Sequence, residues 1–344
     1  MSKSRILITT AVVFAVAVAA MIGYLRWRSK DYDANRADLL SLMPPNGVAA
    51  GYIDLAQLRS SALLVQLLAW APQQAPDTDY AQFIAATGFN YERDLDRMVV
   101  SIDRAPSGPT VFAIAEGRFD RKKIEEYGNH FGALKTEDGR TLYAVPVSGS
   151  AKKAYFTFLR DDRVAWANDS SYFFQQPSGA GTREWKEHFL RLAGTPVFVV
   201  LRQDAGAASA LAAAPGGLRS PQLATLISQL EWISIAGKPE GTVLRVVIDG
   251  EALTENTVRQ LRELLNGLVV IAQMGLNDPK TRKQLPSELR EGYLDLLNTA
   301  DVQQLDRGTS KSVRIVFDVT PKLLRGLHAA ARSAGQGAAE TPAR

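Results

Sequence analysis

The sequence predicts an α+β protein in which an N-terminal transmembrane helix precedes two related α+β units with antiparallel sheets. Three observations predict this class. The chain opens with an uncharged apolar run, the body repeats one order of strand-like and helix-like stretches, and a series of short strand-like runs lies in the first half. The predicted segments are an anchor at 1–30, a first unit at 40–180, a second unit at 190–333 and a disordered tail at 334–344.

The opening run spans residues 6–25 and contains no charge, with Thr9 and Thr10 as its polar side chains. Twenty residues of helix rise about 30 Å, which matches the hydrocarbon core of a bilayer. A helix also satisfies its own backbone hydrogen bonds in lipid. Basic side chains flank both ends of the run: Lys3, Arg5, Arg26, Arg28 and Lys30. We therefore expect a single-pass anchor with these residues as its flanks.

A cleaved signal peptide is the alternative interpretation, because Ala17-Val18-Ala19 fits the small-residue pattern of a cleavage site. The apolar run continues to Leu25, however, beyond the length typical of a signal peptide's apolar region. Orientation depends on opposing signals. The Lys and Arg count, two before the run and three after it, favours a cytoplasmic body. The short basic head before the apolar run has the layout of an export signal, and we expect an extracytoplasmic body.

Charge and cysteine content exclude several classes of protein. The chain has 40 Lys and Arg against 36 Asp and Glu, but residues 1–30 contain five of the basic residues and no acidic one. The remaining 35 basic residues are balanced by 36 acidic ones, so the body lacks the basic excess of a nucleic-acid-binding protein. The chain contains no cysteine, which rules out disulfides, thiolate metal sites and a cysteine nucleophile.

Three segments of the body share one layout, a strand-like run followed by a polar break and an amphipathic helical stretch. They begin at Gly108, Gly241 and Lys311. The first two are preceded by a further strand-like run, and by another strand-like run upstream of that one. The order strand, helical stretch, strand, turn, strand, helix thus occurs twice, at an offset of roughly 135–150 residues. This repeat predicts the two related units.

Residues 133–168 predict an antiparallel meander. Four strand-like runs are separated by polar turns, and Asp138-Gly139 is a strong hairpin signal because both residues tolerate positive φ. The segment 182–192 that follows predicts a helix. Its apolar stripe would consist of Trp185, Phe189 and Leu192.

A search for chemistry yields no catalytic residue, no cofactor site and no metal site. The zinc and nucleotide-binding signatures are missing. Ser150 and Lys153 fit the S-x-x-K pattern, but the companion motifs of that family are absent. The three histidines, His130, His188 and His328, fall in different helical stretches and are predicted to be structural.

Three pairs of carboxylates lie close together in the sequence: Asp161 with Asp162, Glu125 with Glu126, and Asp94 with Asp96. General acid–base catalysis needs two carboxyl groups that meet across a cleft with different pKa values. Neighbours on a turn or on one helix face do not provide that arrangement. We therefore expect all three pairs to be solvated surface groups.

The opening of the body, LMPPNGVAAGYIDLAQLRSS at 42–61, resembles the start of certain uncharacterised bacterial single-pass membrane-anchored proteins of unknown function. In these proteins a short P-x-x-x-x-A strand segment leads into a helix. The resemblance covers about twenty residues and includes no catalytic motif. It implies a bacterial inner-membrane protein with a periplasmic body.

Together these observations predict a membrane-tethered, extracytoplasmic, non-catalytic protein that binds a partner protein or an envelope component. The expected partners are the membrane, through the N-terminal helix, and a protein, but no nucleic acid. Two alternatives stay open. One is an enzyme with an unrecognised site in the groove between the two units, and the other is a carrier of a small apolar ligand in a cavity lined by Phe156, Phe158 and Trp166.

Overall fold

A computed structural model of the chain gives the fold. It describes residues 38–44, 47–70, 78–105, 108–131, 135–137, 140–147, 153–173, 185, 187–192, 194–203, 221–306, 308 and 310–339. The predicted anchor at 6–25 and its five basic flanking residues lie outside these ranges. Among the described residues, no helix is both long enough and apolar enough to cross a membrane.

The described strands form one antiparallel sheet. They are β1 (Ala49–Asp54), β2 (Leu95–Ala105), β3 (Gly108–Gly117), β4 (Lys135–Glu137), β5 (Arg140–Pro146), β6 (Lys153–Arg160), β7 (Arg163–Ala167), β8 (Val197–Arg202), β9 (Leu230–Glu240), β10 (Val243–Ala252), β11 (Asp301–Asp306) and β12 (Lys311–Val319). Their order across the sheet is β11-β12-β10-β9-β8-β1-β2-β3-β7-β6-β5-β4. Eleven strands make the continuous ladder, and the short β4 extends it through a hairpin with β5.

The predicted fold class is wrong in its division of the body into two units with separate sheets. β1, the first strand of one predicted unit, pairs with β8, the first strand of the other, so that Gly51 lies opposite Val199. The physical reason lies in the side chains of these strands. All six residues of β1 are buried, and Val197, Phe198 and Val200 of β8 are buried too. A strand that is buried on both faces belongs in the interior of a sheet, and β1 and β8 therefore hydrogen-bond to one another at its centre.

The α+β character of the body is confirmed, and the strand order is mirrored about the β1–β8 pair. On one side the order runs β1-β2-β3-β7-β6, and on the other it runs β8-β9-β10-β12-β11. In each half the third strand is followed by a helix that packs back on the sheet. The first half contains two further strands, β5 and β4, at its outer edge.

The helices are α1 (Leu55–Arg59), α2 (Ala62–Trp70), α3 (Thr78–Thr87), α4 (Tyr91–Asp94), α5 (Arg121–Phe131), α6 (Pro221–Ile227), α7 (Glu255–Asn277), α8 (Pro279–Gln284), α9 (Ser287–Thr299) and α10 (Pro321–Ala339). α10 continues to Ala339, into the segment predicted as a disordered tail. Residues 187–191 are also helical, and Ser170–Phe173 form a 3-10 turn.

Apolar clusters cover both faces of the sheet. Successive strand residues point to opposite faces, and Tyr52 and Ile53 of β1 therefore enter different clusters. Tyr52 packs with the predicted stripe of the 182–192 segment, since Trp185, Phe189 and Leu192 are all buried there. Ile53 packs beneath α1, α2, α9 and α10. A third cluster lies beneath α6 and α7, and a fourth lies beneath α5.

Candidate functional site

The most buried ion cluster of the second half surrounds Glu251 on β10. One carboxylate oxygen accepts a hydrogen bond from Arg191 at 2.6 Å and lies 3.3 Å from Nδ1 of His188, while the other accepts from the Ser310 hydroxyl at 3.2 Å. Glu251 is 5% exposed, and the His188 ring lies against Trp232 with a centroid distance of 4.1 Å.

The pKa of Glu251 reflects these partners. Burial acts to raise the pKa, but the hydrogen bonds from His188 and Arg191 outweigh it and lower the pKa from 4.5 to about 2. A carboxylate with every oxygen engaged and a low pKa is a poor proton acceptor, because catalysis needs a base with a pKa near the working pH. Within the described ranges, no group of His, Asp and Glu side chains is arranged to hold a metal ion. The cluster stabilises the fold.

A ladder of alternating charges crosses the first half of the sheet. Asp54, Arg97, Glu116 and Arg163 occupy directly opposed positions on β1, β2, β3 and β7. Arg97 bridges Asp54 at 3.3 Å and Glu116 at 3.4 Å. Arg163 binds Glu116 through Nε at 2.9 Å and Nη2 at 2.6 Å. Since each acid has a basic neighbour on the next strand, the ladder compensates charges that the sheet buries.

The second half contains a counterpart of this ladder. Asp249 on β10 lies directly opposite Arg314 on β12, and two hydrogen bonds of 2.8 and 2.9 Å join them. Glu116 and Asp249 hold matching places, because each precedes a glycine near the end of the third strand of its half and binds an arginine on the fourth. Sequence reasoning did not identify either pair, since the partners are 47 and 65 residues apart.

The predicted carboxylate pairs have two different outcomes. Asp161 and Asp162 lie in the exposed turn between β6 and β7, where they pair with Arg121 and Arg160. Asp94 contradicts the prediction of a solvated surface group. It is 6% exposed, and its carboxylate accepts hydrogen bonds from the Arg93 side chain and the Asn90 backbone, which hold its pKa well below the usual range.

The two alternative functions depend on how the two halves meet and on three aromatic residues. The halves are joined by the paired strands β1 and β8, and Tyr52, Ile53 and Phe198 of these strands are buried. For the apolar carrier, Phe156 and Phe158 are each 9% exposed and pack beneath α5 with Ile124. They belong to the core, whereas Trp166, which lies opposite Phe156 on β7, is 37% exposed.

The surface of α7 has an unusual distribution of polarity. Eight of its solvent-facing positions fall at helical spacing into two sets that lie three turns apart, and Glu255, Asn266, Gly275 and Asn277 are exposed as well. The first set is polar: Asn256, Arg259, Gln260 and Glu263. The second set is apolar: Gly267, Val270, Ile271 and Met274. Val270, Ile271 and Met274 are 53%, 66% and 70% exposed. We call this second set the α7 stripe.

The opposite side of α7 is already packed. Val258 and Leu261 are buried in the cluster beneath the helix, and Leu264, Leu265 and Leu268 pack partly against it. The sequence contains the signal for the α7 stripe, because residues 264–276 are apolar on every side apart from Asn266 and Gln273. A helix that is apolar all round must bury each face. The amphipathic stretch predicted after Gly241 accounts for the packed side of α7 and not for the exposed apolar side.

Comparisons with known proteins give a fold likeness at most. No family model matches the chain, and no curated protein matches it. Among solved structures, crystal form I of TP0453 aligns with a TM-score of 0.44 and 8% identity, covering 83% of this chain and 94% of that one. Crystal form III aligns with a TM-score of 0.42 and 10% identity, covering 82% and 92%. Likeness at this level establishes no shared activity.

Proposed function

We propose that this protein is a membrane-tethered, extracytoplasmic, non-catalytic protein that binds a partner protein through the α7 stripe. The observation that carries the proposal is the contrast within one exposed helix face, polar from Asn256 to Glu263 and apolar from Gly267 to Met274. Contiguous exposed apolar side chains with a polar border are typical of interaction sites. The spacing i, i+3, i+4, i+7 is the one by which a helix presents anchors to a partner.

The tether is supported by the sequence alone. Residues 6–25 match the bilayer in length, and the basic flanks hold a helix end at the headgroups. The extracytoplasmic side is supported by the export-signal layout, and a bacterial inner membrane is supported by the resemblance of residues 42–61. Under this proposal the anchor keeps the body, and with it the α7 stripe, close to the membrane surface.

The tether is tested by washing and protease digestion. We expect the full chain to remain in the membrane fraction at high salt and at alkaline pH, because salt screens peripheral attraction but does not extract an apolar helix. Protease added to intact spheroplasts should digest the body. A body that is digested only after the membrane is opened would contradict the orientation, and a mature N-terminus at Ala20 would show cleavage and release.

A single charge introduced into the α7 stripe tests the binding surface. Ile271→Asp in the full chain should abolish co-purification of the partner after crosslinking in intact membranes, because the carboxylate would have to be desolvated in the interface. Gln260→Asp is the matched control, since it places the same charge on the same helix face three turns earlier. If both variants retain the partner, or if Ile271→Asp alone unfolds the protein, the α7 stripe is not the binding surface.

A further inference from the structure

The helix that follows the α7 stripe is strongly basic. α8 begins two residues after α7 ends, and its Lys280, Arg282 and Lys283 are all exposed. None of the three forms an ion pair with any described residue. Two basic residues of α10 do form ion pairs, since Lys322 binds Glu291 at 3.2 Å and Arg325 binds Glu288 at 2.7 Å. Three exposed cations without an ion pair among the described residues therefore follow the apolar stripe closely in the chain.

We propose that the partner segment is an acidic amphipathic helix, which packs its apolar side on Val270, Ile271 and Met274 and places Asp or Glu side chains over α8. This inference rests on the proposed function. The α7 stripe is about 10 Å long, or two turns, which suits the contact between two crossing helices. A Cβ on Gly267 would meet nothing within 4 Å, so a partner backbone can approach closely there.

A second copy of the chain fits this surface poorly. Asp278 is extended and ends α7, so α8 is a separate helix. The segment 267–283 of a second copy would bring Lys280, Arg282 and Lys283 to the contact with a single acidic residue, Asp278. Like charges brought together in this way disfavour association. The surface is complementary to an acidic partner, not to itself.

A lipid surface is also a poor fit. Helices that lie in the membrane interface bury one continuous apolar face, which commonly includes Trp, Phe or Leu. The exposed face of α7 contains no aromatic residue. If α7 lay in the membrane interface, the first half of the helix would place the polar Gln260 and Glu263 next to the lipid acyl chains. The observations therefore favour a protein helix over a bilayer.

The test uses a photoreactive amino acid in place of Met274 in the full chain, irradiated in intact cells, with sequencing of the crosslinked peptide. We expect a segment of another protein that has apolar residues at helical spacing and an excess of Asp and Glu. Adding Lys280→Glu and Lys283→Glu should lower the crosslink yield about tenfold, because attraction becomes repulsion. Lys122→Glu with Lys123→Glu, an equal change on α5, should leave the yield unchanged.

The outcomes separate this inference from the proposed function. If Ile271→Asp abolishes the crosslink but the reversal at Lys280 and Lys283 does not lower it, the α7 stripe binds a partner whose docking segment is not acidic. An adduct with lipid, with residues 255–277 of a second copy, or with a neutral or basic segment also overturns the inference. If position 274 gives no more adduct than the same photoreactive residue at Gln260, both proposals are wrong.

Discussion

At the scale of single residues, the structure buries several charges, and three of the buried acids, Asp54, Glu116 and Asp249, are paired with an arginine directly across the sheet. Glu116 and Arg163 are 7% and 4% exposed. Two further arginines, Arg97 and Arg160, each place a guanidinium nitrogen 3.4 Å from a carboxylate oxygen of Glu116. Removing one partner of a buried ion pair leaves the other charge both desolvated and unpaired. The free energy of unfolding then falls by more than the intact pair contributes to it.

Arg163→Met should therefore lower the free energy of unfolding by about 3 kcal/mol, because it leaves the Glu116 carboxylate without its closest partner. Arg160→Met is the control: it removes an arginine from the same carboxylate, but that side chain is 52% exposed. We expect this control to lower the free energy by under about 1 kcal/mol. Urea unfolding followed by circular dichroism measures both. Equal losses in the two variants would contradict the argument.

Glu251 should make stability depend on pH in the acid range. Its pKa falls from 4.5 to about 2 on folding, so the unfolded chain binds the proton first as the pH falls. The stabilisation is complete above pH 4.5 and is lost as the pH falls towards 2. It amounts to something on the order of 3 kcal/mol. Glu251→Gln should reduce the free energy of unfolding at pH 7 and have much less effect near pH 2. A deficit that is independent of pH would contradict this interpretation.

At the scale of elements, two glycines let α9 and α10 cross at close range. A Cβ on Gly292 would lie 2.5 Å from Cα of Leu323, and a Cβ on Gly326 would lie 2.7 Å from Cα of Leu289. Each glycine thus accommodates the backbone of the facing helix. Backbone atoms cannot rotate away as a side chain can, and any Cβ must push the two helices apart.

Gly292→Ala should lower the free energy of unfolding by roughly 1–3 kcal/mol, because helices α9 and α10 must move apart to make room for the added Cβ. Gly267→Ala in the middle of α7 is the matched control, since a Cβ there meets nothing within 4 Å. Alanine is the better helix former, and we expect this variant to gain roughly 0.5–1 kcal/mol. Thermal unfolding of both variants gives the comparison. A stabilised Gly292→Ala variant would show that the helices do not pack this closely.

At the scale of the whole molecule, the β1–β8 pair joins the two halves into one sheet. Separating residues 38–192 from residues 194–339 would leave each half with a long unpaired apolar edge, which favours aggregation. We expect each fragment to be insoluble when produced alone and the two to copurify when produced together, with the continuous chain 38–339 as the control. A soluble, monomeric fragment that unfolds cooperatively would contradict this dependence.

The sequence by itself determined most elements and their character. The alternation of apolar residues predicts β3, β10 and β12, each with its following helix, and the turn residues predict the meander of β4 to β7. These signals are local, because the period of a strand or helix is contained within a few neighbouring residues. The run at 264–276 also indicates the α7 stripe, because it is apolar on more sides than the sheet can cover.

Tertiary structure alone decided which strands are neighbours, and with it the number of sheets. β1 and β8 each looked like the start of a separate unit, since the sequence states that both are apolar but not what covers them. Register likewise decided which charges meet, as for Arg163 and Glu116. Pairing and register arise from contacts between residues far apart in the chain, and a pattern read along the chain does not contain them.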